Sequence, residues 1–126
     1  MKKDMDVQYL KHIQGAIKDI QHYTRDGKDA FFTDRKTQDA VIRKLEIIGE
    51  ASKKIGADTK KQIGEIPWKD IAGARDVFIH GYFKVDLNEV WKTVTDDLPI
   101  LDRALQKHAD RTRLPAQRAK DTGLER

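Results

Sequence analysis

Apolar residues recur at three- and four-residue steps along most of the chain, which predicts helices throughout. Leu10, Ile13, Ile17 and Ile20 mark a first helix over Asp6 to Tyr23. Its stripe is suited to packing another helix. Gly15 interrupts it, costing about 1 kcal/mol if exposed or permitting a close helix contact if covered. Asp26-Gly27 is a turn signal, and Ala30-Phe31-Phe32 reads as a short turn plugging one end of the core. Thr33 or Asp34 is placed to cap the next helix. That helix, Thr37 to Ile55, turns Val41, Ile42, Leu45, Ile48, Ser52 and Ile55 inward. Gly56-Ala57-Asp58 ends it, and a short helix near Thr59 to Ile63 follows.

A third long helix opens at Pro67, because a proline in the first turn lacks only an N–H that has no partner there. The fourth opens at Asp86, an N-cap with Glu89 completing a capping box. Leu87, Val90, Trp91, Val94, Leu98, Leu101 and Leu105 carry its stripe to about Ala109. Pro99 lies inside that stripe and should kink the helix or split it at Leu98. No strand-like alternation of useful length occurs. The pattern predicts an all-α fold, an antiparallel helical bundle of four main helices with short extra helices. Residues 1–109 form the bundle. From Asp110 the periodicity fades, and 110–126 reads as a basic, flexible tail.

The third helix breaks its own pattern. Trp68, Ile71, Ala72, Phe78 and Ile79 share one face, and Arg75 falls in the middle of it. A helix that only packs would place Leu or Ile there. A buried guanidinium needs a partner. Glu46 and Glu50, four apart beside the inner stripe of the second helix, are the candidates; otherwise they form a solvated acidic edge. Asp76 and His80 are also four apart and can share a face. A carboxylate beside an imidazole fixes its tautomer and raises its pKa. Gly81 is a candidate helix end, and distortion there would let His80 swing towards Arg75, with Tyr82 close by.

Composition narrows the classes. The chain has 126 residues, 38% hydrophobic and 37% charged, enough for one domain with one core. No apolar run approaches the roughly 18 residues of a membrane span, and the charged start does not read as a signal peptide. With no cysteine there are no disulfides or thiolate metal sites, and the cytoplasm is the default compartment. The net charge of +4 permits a nucleic-acid partner without requiring one. In the tail, Arg111 and Arg113 are candidate phosphate contacts.

Much familiar chemistry is missing. There is no glycine-rich phosphate loop. His12, His22, His80 and His108 lack metal-ligand spacing, so neither a metal nor another cofactor is expected. Ser52, the only serine, lies on an inner stripe. Arg75, Asp76, His80 and Tyr82 remain. An internal ion pair, a helix-end histidine and a core tyrosine would account for them structurally. They are also a sufficient kit for cleaving RNA without a metal. His80 would take the proton of a ribose 2′-hydroxyl. That oxygen would attack the adjacent phosphorus while Arg75 stabilised the growing charge. A symmetric dimer would supply the acid for the leaving 5′-oxygen.

Arg75, then four residues, His80, one residue and Tyr82 resembles the signature of the HepT-like branch of the HEPN superfamily. Asp76, directly after the arginine, fits that pattern. Flanking blocks are similar too: Arg43 to Ala51, Ile66-Pro67-Trp68, Val90-Trp91 and Leu98-Pro99. The resemblance covers roughly Val7 to Leu105 and leaves the tail unmatched. It implies a HEPN-like bundle that dimerises with the two motifs facing a shared cleft. It implies a metal-independent endoribonuclease, the toxin of a type VII toxin–antitoxin pair, with Arg75 and His80 catalytic and Asp76 supporting. It also implies an MntA-type nucleotidyltransferase antitoxin that transfers AMP to Tyr82. The alternative is a non-catalytic helical module that binds a nucleotidyltransferase or RNA; such a module would not need the Arg75/His80 pair.

Overall fold

The structure, a computed structural model, describes residues 2–64, 66–69, 71 and 86–112. Helix α1 spans Lys2–Tyr23, α2 Lys28–Thr33, α3 Arg35–Lys54 and α4 Ala57–Ile63. After Asp86 come α5, Leu87–Lys92, a π-helical turn, Thr93–Asp97, and α6, Leu98–Thr112. Among the described residues there is no strand, so the all-α expectation holds. Of the expected third long helix only the opening turn lies within the described residues, where the Ile71 N–H bonds to the Pro67 carbonyl at 3.0 Å.

α1 and α3 make the principal contact. Asp6 reaches Gly56, just beyond α3; along the pair, Tyr9 meets Lys54 and Asp19 meets Lys44. Numbers rise on one helix as they fall on the other, so the pair is antiparallel. α6 starts beside the end of α1 and runs back to α4. The core lies between these helices. Ile13, Ile17 and Ile20 of α1 are fully enclosed, as are Val41, Val90 and Leu101. Each such side chain contributes about 1.5–3 kcal/mol by leaving water. Among the described residues the predicted stripes supply this core, with Ile42, Trp68, Leu87, Trp91 and Val94 half-buried at its edge.

The caps follow local chemistry. The Asp34 carboxylate accepts from the Lys36 N–H at 3.1 Å and the Thr37 hydroxyl at 2.8 Å. The Thr37 hydroxyl, first among its contacts, holds the Asp34 carboxyl below its ordinary value. Asp86 accepts from the N–H groups of Asn88 and Glu89, the N-cap expected from sequence. Gly27, with φ of +95°, opens α2 in a backbone region that side chains avoid. The segment read as a turn around Phe31 is a complete short helix, and Phe31 does plug the core, at 1% exposure.

Before Pro99 the helix departs from α geometry: a π turn, Thr93–Asp97, joins two α-helical pieces, the second starting at Leu98. The Pro99 ring excludes the carbonyl four residues back, and the chain widens by one residue per turn. The Leu98 N–H bonds to the Thr93 carbonyl, five residues back, as π-helix requires. Hydroxyls of Thr93 and Thr95 donate to the carbonyls of Glu89 and Trp91, each at 3.0 Å. Such back-bonding favours a helix that departs from regular α geometry.

Gly15 is exposed, and a Cβ built there meets no described atom within 4 Å. Of the two readings of this glycine, the exposed one holds. Gly15→Ala is therefore expected to stabilise the domain by about 0.5–1 kcal/mol. A urea titration checks this; a lower midpoint would mean that a second molecule covers this face.

Candidate functional site

Arg75, Asp76, His80 and Tyr82 lie outside the described residues, as does Arg113. The described part nearest the motif is the turn at Pro67, where the expected third helix opens. The Trp68 N–H bonds to the Ile66 carbonyl at 2.7 Å, and the first i to i+4 bond closes at Ile71. Ile71 is buried in the core at 4% exposure. The Trp68 ring is half-buried, with the Lys60 ammonium 5.4 Å from its centroid. Its Nε1 is buried and has no hydrogen-bond partner among the described residues. The helix thus leaves Pro67 with Ile71 committed to the core and Trp68 packed partly over α4.

α4 precedes this turn and is held from both ends. The buried Asp6 carboxylate accepts the Gly56 N–H at 3.2 Å and the Thr59 hydroxyl at 2.6 Å. Gly56 is the N-cap of α4 and has no side chain to do this itself. At the other end the Arg111 Nη2 donates to the Gln62 carbonyl at 2.8 Å. Sequence reasoning assigned Asp6 only to a helix start and Arg111 to a tail. Capping rules look three residues ahead, and these partners are about fifty residues apart. Arg111, expected to contact phosphate, stands exposed on α6, which runs to Thr112 and into the segment read as tail.

On α3, Glu46 accepts from Arg43 at 3.3 Å on its own helix. Glu50 is half-buried one turn further on. Lys44 reaches Asp19 of α1 at 2.9 Å, and that bond raises the Lys44 pKa.

His12 is exposed on α1. His22 is exposed beside Arg25, whose Nη1 lies 3.1 Å from Nε2 and donates to the His22 carbonyl at 2.9 Å. Neither takes part in a described carboxylate pair. Among the described residues no group of three or more His, Cys, Asp or Glu could hold a metal ion. Burial, and then the charge of Arg111, holds the His108 pKa below its ordinary value. Between that lowered value and about 6.5 the unfolded chain binds the extra proton, so stability rises with pH and is complete above about 6.5. The urea midpoint is expected to fall from pH 7 to pH 5, and to fall less in His108→Gln.

A groove of about 310 Å³ opens between the end of α1 and the π turn, lined by Ile20, Thr24, Trp91, Val94, Leu98 and Pro99 among others. None of its lining residues is titratable, so it offers no acid–base chemistry.

The comparisons agree with the family resemblance. The family model described as ribonuclease HepT-like matches residues 13–108. A protein of Thermococcus cleftensis named "Probable ribonuclease HepT" is 50% identical over 100 residues, covering 79% of this chain and 91% of its own. A Methanocaldococcus jannaschii protein named "Gamma-glutamylcyclotransferase and putative RNase" is 44% identical over 108 residues, covering 85% of this chain. The match spans 48% of that longer protein, so this chain corresponds to about half of it. A second M. jannaschii protein, named as a "Putative RNase", is 35% identical over 106 residues, covering 83% of this chain and 96% of its own. No solved structure matches the chain.

Proposed function

The chain belongs to the ribonuclease HepT-like family, and on that premise we propose that it is a metal-independent endoribonuclease, the toxin of a type VII HepT/MntA toxin–antitoxin system, silenced by AMP transfer to Tyr82. The observation that carries this reading is the place of the motif within the match. Residues 13–108 take in Arg75, Asp76, His80 and Tyr82 in unbroken spacing. The names of the relatives support ribonuclease activity.

In this reading His80 is the base and Asp76 orients it. The 2′-oxygen attacks phosphorus, the bond to the 5′-oxygen breaks, and that oxygen leaves with a proton. The proton comes from His80 or Tyr82 of the second subunit of a homodimer whose motifs share a cleft. Arg75 stabilises the five-coordinate phosphorus by charge-assisted hydrogen bonds. The products are a 2′,3′-cyclic phosphate and a 5′-hydroxyl, and DNA, lacking the attacking oxygen, survives. AMP on Tyr82 would add bulk and negative charge beside Arg75 and repel RNA. The place of action is the cytoplasm.

The test pairs intact mass with RNA cleavage in EDTA, for protein expressed with and without an MntA-type nucleotidyltransferase. AMP-sized increments that vanish in Tyr82→Phe and accompany loss of cleavage are expected. Cleavage without any increment would remove the switch and keep the nuclease. No cleavage and no increment in either sample would favour the non-catalytic module.

A further inference from the structure

α4 is a short helix gripped at both ends by distant elements, and it runs into the start of the motif helix. At its N-terminus stands the buried carboxylate of Asp6, from α1. At its C-terminus stands the guanidinium of Arg111, from α6. A negative group at the N-terminal end and a positive one at the C-terminal end both complement the helix dipole. Ile63, the last residue of α4, is buried in the same core as Ile71. Gly64, with φ of +107°, turns the chain between them. Lys60 of α4 lies over Trp68 in the first turn of the motif helix. A sliding or rotation of α4 therefore reaches the turn at Pro67–Ile71, from which the motif follows in sequence, by two routes, through Gly64 and through the Lys60–Trp68 contact.

We propose that Asp6 and Arg111 are positioning residues for RNA cleavage: by fixing α4 from its two ends they fix where the motif helix sets out. The proposal rests on the ribonuclease reading above. Neither residue touches RNA in this role. Their effect passes through α4 to Arg75 and His80, and misplacement of reacting groups by about 1 Å can cost as much as a hundredfold in rate. Arg111 in this role acts on the rate of the chemical step. As a phosphate contact it would act on affinity and its salt dependence.

The test uses the full-length chain and a labelled single-stranded RNA in EDTA, over a series of salt concentrations, with thermal melts giving the folded fraction. Asp6→Asn and Arg111→Ala are expected to stay folded at the assay temperature. Each should lower kcat about tenfold per folded molecule, leaving KM and the salt slope unchanged. Arg111→Lys keeps a donor for the Gln62 carbonyl and should recover part of the loss. Arg103→Ala removes a comparable exposed charge from α6 and should match wild type. A raised KM with kcat intact, and a salt slope smaller by about one, would make Arg111 a phosphate contact and overturn the proposal. Loss that merely follows the folded fraction would overturn it too. Wild-type cleavage matched by all variants overturns the positioning role alone. A wild type that does not cleave overturns the ribonuclease reading and takes this proposal with it.

Discussion

RNA cleavage by His80→Ala is expected to fall about 10²–10⁴-fold, the usual worth of a positioned acid–base group. In the reading proposed above, the 2′-hydroxyl has no other group of suitable pKa in the motif to receive its proton. Arg75 stays charged at all relevant pH values, and Asp76 alone is too weak a base to replace imidazole. Binding is expected to survive, because His80 is neutral when it acts and contributes little to phosphate attraction. An RNA with a 2′-deoxy sugar at the cleaved position binds without reacting and separates the two effects. Its affinity should be the same for His80→Ala and wild type within about threefold. Added imidazole should restore part of the rate, since alanine leaves room for it. Equal cleavage by variant and wild type would point to a contaminating nuclease.

Phe31→Ala is expected to cost about 3–5 kcal/mol, the range for deleting a buried aromatic ring. Phe31 is 1% exposed. Its ring centroid lies 5.4 Å from Phe32, edge to face, and 5.2 Å from Trp91. α2 has six residues, too few to be stable alone, so this ring is the chief anchor that folds it onto the core. The Gln38 amide bond to the Phe31 carbonyl, at 2.9 Å, holds only while the ring is seated. The melting temperature should drop by about 10–20 °C. Trp91 emission should shift to the red as water reaches it. Phe31→Leu should retain most of the stability, and a loss below 1 kcal/mol in Phe31→Ala would show that the gap closes by local collapse.

The core was readable from order alone because burial on a helix repeats with the helix. Ile13, Ile17 and Ile20, or Leu98, Leu101 and Leu105, declare their face within a few residues. Asp34 and Asp86 were readable for the same reason: a cap and its donors are neighbours in sequence. The π turn was half legible. Pro99 announces that a regular helix fails there, but kink, break and widened turn all relieve the same clash. Which occurs depends on the threonine hydroxyls and on how Val90 and Leu101 both reach the core. Asp6 was illegible as a cap because its partner N–H belongs to a helix about fifty residues away. Among the candidate site residues, Arg75 stood out by its place on an apolar face, and Asp76, His80 and Tyr82 by their spacing from it. Their mutual geometry is a three-dimensional fact outside the described residues. Glu46, a candidate partner for Arg75, pairs with Arg43 among the described residues, and Arg75 lies outside them.

The two-ended grip on α4 also brings together two distant parts of the described chain. Gly56 and Gln62 are about 9 Å apart along the helix, so Asp6 and Arg111, near opposite ends of the described chain, are drawn to one pole of the bundle. A segment bounded by two such parts can be spliced into a longer polypeptide without strain. The M. jannaschii relative, about twice the length of the matching segment, shows that a domain of this kind is compatible with life inside a larger chain.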